Sequence, residues 1–128
     1  MCLLKVAMAI ECVNVYVNEI KVECQPDSAS DINIWGNNHF RTFCNKLGYK
    51  PKLQRASRPI RAANKTLIKV DGFFNANFKS KSNSTVSRIF IKSADDPDLP
   101  LMSKFDLHCL GYIQIDPDGN LTVSDKVK

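Results

Sequence analysis

The sequence predicts an all-β chain with two short helices. Three observations carry that expectation. Stretches alternating apolar and polar residues, rich in β-branched types, recur along most of the chain. Helix punctuation occurs twice, in segments closed by Gly48 and by Gly111. The 128 residues, 44% hydrophobic and 24% charged, suit a single globular domain with a real core. That core is placed at about residues 12–115, with 1–11 and 116–128 read as loose or as dimer-sheet strands.

Cys12–Val17 and Ile20–Cys24 each alternate, and Asn18-Glu19 breaks them, which predicts a β-hairpin. Pro26, with no N–H, is expected to end the ladder just before Asp27. Ile32, Ile34 and Trp35 form a short strand ended by Gly36. Asn37 or Asn38 caps a helix whose Phe40, Phe43, Cys44 and Leu47 share one face, and Gly48 stops it. Residues 49–59 read as an extended connection. A hairpin follows with its turn at Asn64-Lys65, because asparagine tolerates the left-handed region. One long strand runs from Leu67 to Phe78, bulged at Gly72, and Val86–Ile91 returns after a polar turn at 79–83. An acidic loop at 94–98 leads into a short apolar strand, Leu99–Met102. Ser103 and Asp106 have capping-box form and open the second helix, which Gly111 closes. Tyr112–Ile115 and Leu121–Val123 are the last strands, joined by a turn at 116–119.

The net charge of +5 is spread out, with Arg55, Arg58 and Arg61 as the only loose cluster, so nucleic acid is not the expected partner. Aromatic residues are not interleaved with the arginines as a strand-binding groove would need. Five cysteines, an odd number without Cys-x-x-Cys spacing, exclude a zinc motif and read as free thiols in a reducing, intracellular compartment. Met1–Ile10 is apolar but short and interrupted by Lys5, so neither a signal peptide nor a membrane span is expected. No cofactor is implied. His39 and His108 fall on the two helices without a nucleophile beside them, and Trp35 reads as core or dimer contact.

The chemistry-bearing stretch is Pro26-Asp27-Ser28-Ala29-Ser30-Asp31. A strand delivers one carboxylate, followed by small residues, and an apolar strand leads away. Alone it reads more readily as a polar turn between two strands. Two further segments change its weight. Ala62-Ala63-Asn64-Lys65 precedes Leu67–Phe73, and Leu101-Met102-Ser103-Lys104-Phe105-Asp106-Leu107 ends at Leu110-Gly111. In this order the three resemble the active-site segment, the flap and the C-terminal helix motif of retropepsins, the aspartic proteases of retroviruses and LTR retrotransposons.

That resemblance implies a closed barrel of six or more strands, one lobe per chain. It implies a homodimer in which two Asp27 carboxylates share one proton and activate a water, giving a bell-shaped pH profile on the acidic side. It makes Asp27, Ser28 and Ala29 the catalytic loop, with the Ser28 hydroxyl bonding backbone across the dimer axis. Ser30, Asp31, Ala62, Ala63, Asn64 and Lys65 become the substrate-binding residues, closing over an extended peptide, in the family a segment of the element's own polyprotein. It implies a structural pair between Asp31 and Lys104, the latter standing where the family carries arginine. Three departures accompany the match. Ala29 and Ser103 replace glycines, and Ser30 adds a hydroxyl that needs a partner. They support an alternative, a catalytically impaired module used for dimerisation or peptide binding, as in a degenerate element copy or a host-adapted protein.

Overall fold

A computed structural model describes residues 12–27, 30–62, 64–115, 117–118 and 121–123. Six strands close into a barrel in the order β1 (Val13–Val17), β2 (Ile20–Asp27), β8 (Leu101–Ser103), β3 (Asn33–Trp35), β7 (Ser84–Lys92), β6 (Val70–Lys79), with two helices packed on it, as the family resemblance implies.

Strands β1 (Val13–Val17) and β2 (Ile20–Asp27) form the first hairpin, with Val15 opposite Val22. Val13, Val15 and Val17 point inward, while Asn14 and Tyr16 face out. Asn18 and Glu19 take φ of 46° and 71°, the left-handed pair that matches strand twist in a tight hairpin. The Asn18 side chain is held in place because its Oδ1 accepts from the Asn77 N–H at 2.9 Å.

Pro26 does not end the ladder. Strand β2 continues through it to Asp27, paired in parallel with β8 (Leu101–Ser103), with Pro26 opposite Met102 and Asp27 opposite Ser103. In a parallel ladder only alternate residues donate toward a given neighbour, so a proline is accepted at the other positions. Gln25 supplies the donor here, to the Pro100 carbonyl at 2.7 Å.

β3 (Asn33–Trp35) lies between β8 and β7 (Ser84–Lys92), antiparallel to the first and parallel to the second. It leads into α1 (Asn37–Leu47), which ends at Gly48 with φ 91°, as predicted. The N-cap is Gly36, which has no capping side chain, rather than Asn37 or Asn38. Asn38 is engaged elsewhere, since it donates to the Asp96 carbonyl and accepts from the Asp96 N–H, both at 2.9 Å. The acidic loop thereby docks on the helix, reinforced by Arg41–Asp95 at 3.0 Å and Lys92–Asp96 at 2.8 Å. The hydrogen bond from Arg41 holds the Asp95 carboxyl below its usual range. This clasp therefore contributes fully above that range and is lost as pH falls through the lowered value.

The β4 (Ile60–Arg61) and β5 (Leu67–Ile68) hairpin stands apart from the barrel sheet. In its turn Lys65, not Asn64, takes the positive φ of 68°. Asn64 contributes its side chain instead, accepting from the Thr66 N–H at 3.0 Å. The expected long strand is two, β5 and then β6 (Val70–Lys79). Register slips between Val70 and Gly72, where Gly72 has φ 145°. A Cβ at Gly72 would collide with the Gln54 carbonyl oxygen, whose residue bridges to Phe73. Gly72→Ala should cost about 2 kcal/mol of stability, read as a lower urea midpoint at constant m.

β8 runs directly into α2 (Lys104–Cys109). β9 (Ile113–Ile115) and β10 (Leu121–Val123) pair as a separate two-stranded sheet. The predicted loose or dimer-sheet segment 1–11 lies outside the described residues. The main core gathers Trp35, Phe43 and Phe74, with Trp35 edge-on to Phe43 at 5.2 Å, so Trp35 is core. Cys24 is buried in it, and burial pushes its thiol up to about 12. A smaller cluster of Ile34, Phe73 and Phe90 forms on the other side of the barrel wall. None of the helices among the described residues is long and apolar enough to cross a membrane.

Candidate active-site cleft

Asp27 is the last residue of β2 and is half-buried. The chain after it turns back at once. The Ser30 N–H donates to the Asp27 carbonyl at 3.1 Å, and the Ser30 carbonyl accepts from the Lys104 N–H at 3.1 Å. The added hydroxyl of Ser30 finds a partner, donating to the Ile32 carbonyl at 2.7 Å. The loop is therefore pinned to both β3 and α2. Ser28 and Ala29, its predicted catalytic neighbours, lie outside the described residues, as does Ala63.

Beneath the loop lies a buried polar network. Asp106 Oδ2 accepts from Asn33 Nδ2 at 2.6 Å, from Ser87 Oγ at 2.9 Å and from Ser103 Oγ at 2.9 Å. Asn33 Oδ1 in turn accepts from the Ser103 N–H at 2.9 Å. Four elements are joined at one point: β3, β7, β8 and α2. Ser103 sits opposite Asp27 in the ladder, so the network sets the strand that flanks the carboxylate. Ser103 stands where the family resemblance places glycine. It caps α2 as the capping-box form predicts, accepting from the Asp106 N–H at 3.2 Å, so its hydroxyl is satisfied while 1% exposed. Among the described residues no buried side-chain polar atom lacks a partner.

Asp27 opens into a cleft of about 870 Å³. Ser30 and Asp31 line it with Asp27, as do Ile60 and Ile68 of the β4–β5 hairpin and Ala62 in the connection between those strands. Phe73, Phe90 and Leu101 supply apolar wall. Asn64 and Lys65 are exposed in the hairpin turn and are not among the cleft-lining residues. Of the predicted site residues, the structure thus brings Asp27, Ser30, Asp31 and Ala62 together. A separate cavity of about 600 Å³ beside α1 shares none of these residues. No cluster of three His, Cys, Asp or Glu with metal-site geometry occurs among the described residues.

Lys104 Nζ lies 3.2 Å from Asp31 Oδ1, and also 5.2 Å from the Phe105 ring centroid. The Asp31 side chain is 72% exposed, so solvent screens the pair heavily. Lys104→Met should cost less than about 1 kcal/mol, a loss that shrinks further in 1 M salt. Urea titrations at low and high salt measure it.

Three side chains of this region escaped the sequence reading: Asn33, Ser87 and Arg88. Asn33 carried a signal, a lone amide between Ile32 and Ile34 in an apolar strand. Such a residue is buried only with a partner, but the partner is 73 residues away. Arg88 had none, because an arginine on an alternating strand reads as solvent-facing. Its guanidinium in fact lies 4.6 Å over the Phe73 ring, on the cleft wall.

The sequence matches no protein-family model and no curated protein. Solved structures do match. EIAV protease complexed with the inhibitor HBY-793 aligns at TM-score 0.57 and 17% identity, over 78% of this chain and 86% of that one. A retropepsin-like aspartic protease from Rickettsia conorii aligns at 0.56 and 16%, over 88% and 80%. The retroviral protease-like domain of Ddi1 from Leishmania major aligns at 0.50 and 15%, over 89% and 87%. Identity this low speaks to architecture alone, and on that ground the chain has the retropepsin-like fold, a closed six-stranded barrel with two helices.

Proposed function

We propose that the chain is one lobe of a homodimeric aspartic endopeptidase that cleaves extended polypeptides. The observation that carries this reading is Asp27 at the end of β2, on the floor of a cleft bounded by the β4–β5 hairpin, in a chain with the retropepsin-like fold. The motif occurs once in the chain, and two carboxylates are needed to hold one water, so a second copy must supply the other. The ionised Asp27 takes a proton from the water as its oxygen attacks the scissile carbonyl carbon. The protonated Asp27 gives its proton to the carbonyl oxygen. The resulting gem-diol collapses, the C–N bond breaks, and the amine leaves with a proton returned from the dyad. Ser28 and Ala29 complete the loop, Ser30 and Asp31 border the bound peptide, and Ala62, Ala63, Asn64 and Lys65 belong to the hairpin that covers it. The Asp31–Lys104 pair braces the loop against α2.

The substrate of this reading is a polyprotein of the element that encodes the chain, in the manner of an LTR retrotransposon. Free thiols at Cys24, Cys44 and Cys109 suit a reducing, cytoplasmic setting. A second reading rests on Ala29. A Cβ at that position crowds a peptide laid backbone to backbone, which favours a peptide-binding or dimerisation module without turnover. The deciding experiment is cleavage of a broad peptide library at pH 4 to 6, with and without a statine-type inhibitor, at protein concentrations where sedimentation shows dimers. Inhibitor-sensitive cleavage supports the peptidase. Its absence from a verified dimer leaves the second reading.

A further inference from the structure

We propose that the cleft selects peptides carrying an acidic side chain next to apolar ones, and that Arg88 is the specificity-determining residue. This deepens the proposed function and rests on its placement of an extended peptide in the cleft. Strand alternation along β7 sends Ile89 into the main core and leaves Arg88 and Phe90 on the cleft side. Phe90 packs against Phe73, ring centroids 5.3 Å apart, and Arg88 lies over the Phe73 face. A contact with the ring through Cζ uses none of the guanidinium's hydrogen-bond donors, which are the groups that take a carboxylate in a two-pronged bond. An acidic side chain bound there would have the half-buried Ile60, Ile68 and Leu101 of the cleft lining for an apolar neighbour.

The charge balance of the cleft points the same way. Arg58 and Arg61 line it from the hairpin side, facing only Asp27 and Asp31 as lining acids. Lys104 already pairs with Asp31. Ion pairs among the described residues engage Arg41, Lys92 and Lys104, and none of the three cleft arginines takes part in one. Arg61 spends one N–H on the Lys65 carbonyl at 3.1 Å, which holds it to the hairpin. Arg88 is thus the arginine carried by a strand of the barrel itself, and its cation meets the substrate from the barrel side. A wall that is apolar and cationic together fits a mixed apolar and acidic peptide better than an oligonucleotide, whose bases would need exposed aromatic faces.

The test uses uncleavable peptides in which statine replaces the scissile pair, flanked by Val and Phe. Glu, Gln or Lys is placed in turn at each of the three preceding positions, and affinity is read by fluorescence anisotropy. At one of these positions the Glu peptide is expected to bind about tenfold tighter than the Gln peptide. Arg88→Gln should bring that ratio to near one. Arg88→Glu should invert it in favour of Lys, a gain that misfolding cannot mimic. Equal affinity for Glu and Gln peptides at every position overturns the proposal, as does a ratio that survives Arg88→Gln. So does an oligothymidylate that binds more tightly than the Glu peptide and is lost with Arg88. Binding and turnover are scored separately. Charge preference without cleavage removes only the peptidase reading, cleavage without charge preference removes only this one, and no binding of any statine peptide removes both.

Discussion

Asp27→Asn is expected to lower kcat/KM for a cleaved peptide by at least about 10³-fold, with the melting temperature nearly unchanged. The asparagine amide cannot take a proton from water and cannot give one to the carbonyl oxygen. In a homodimer the substitution enters both halves of the dyad at once, so no intact carboxylate remains to rescue the step. The fold should tolerate it. The backbone bonds at this end of β2, the pairing of residue 27 with Ser103 and the Ser30 N–H to the residue-27 carbonyl, are kept by asparagine. Purified variant and wild type would be compared with a peptide taken from the library screen, alongside thermal unfolding. Undiminished cleavage by a variant free of contaminating protease would move the chemistry away from this carboxylate. Under the non-catalytic reading the same variant leaves peptide affinity intact, which separates the two proposals in one preparation.

Asp106→Ala is expected to cost about 3 to 5 kcal/mol of stability, the largest effect of any single substitution considered. One carboxylate oxygen accepts from Asn33, Ser87 and Ser103, and Asp106 is only 6% exposed. Truncation leaves those donors facing a cavity, and each buried donor without a partner costs about 1 to 3 kcal/mol. Asp106→Asn keeps the shape and one acceptor oxygen, so a loss of about 1 kcal/mol is expected. Chemical denaturation of the two variants measures the difference. Equal, small losses for both would mean that water substitutes for the carboxylate and that the network is not sealed. Cleavage should also fall in any folded fraction of the alanine variant, because Ser103 sets the strand beside Asp27.

How much of this was legible from the chain follows the range of each interaction. The first hairpin was readable because everything that makes it is local: alternation on both sides of Asn18-Glu19, and residues that accept positive φ. Gly48 and Gly72 were readable for the same reason, since a left-handed cap and a bulge are demands on one residue. The reading failed where a neighbour distant in sequence supplied the answer. Pro26 breaks an isolated strand but sits comfortably against Met102 in a parallel ladder. Asn38 would cap a free helix but is taken by Asp96. Ser103 and Asp106 were recognised as a helix start, yet the carboxylate's other partners, Asn33 and Ser87, lie on other strands. The hairpin turn misled in another way, because Asn64 uses its side chain as an acceptor and passes the positive φ to Lys65.

By itself the sequence determined the all-β class, the two helices, and the one carboxylate displayed after a strand among small residues, since each is written in periodicity, caps and turn chemistry over a few residues. The tertiary structure decided the rest. It closed the barrel through the parallel pairs β2–β8 and β3–β7, brought the β4–β5 hairpin and Asp27 to one cleft, and buried Asp106 in a network with Asn33 and Ser87. It also turned Arg88 onto Phe73. Those outcomes depend on contacts between residues far apart in the chain, where burial and hydrogen-bond satisfaction of the whole core, rather than local preference, select the partner.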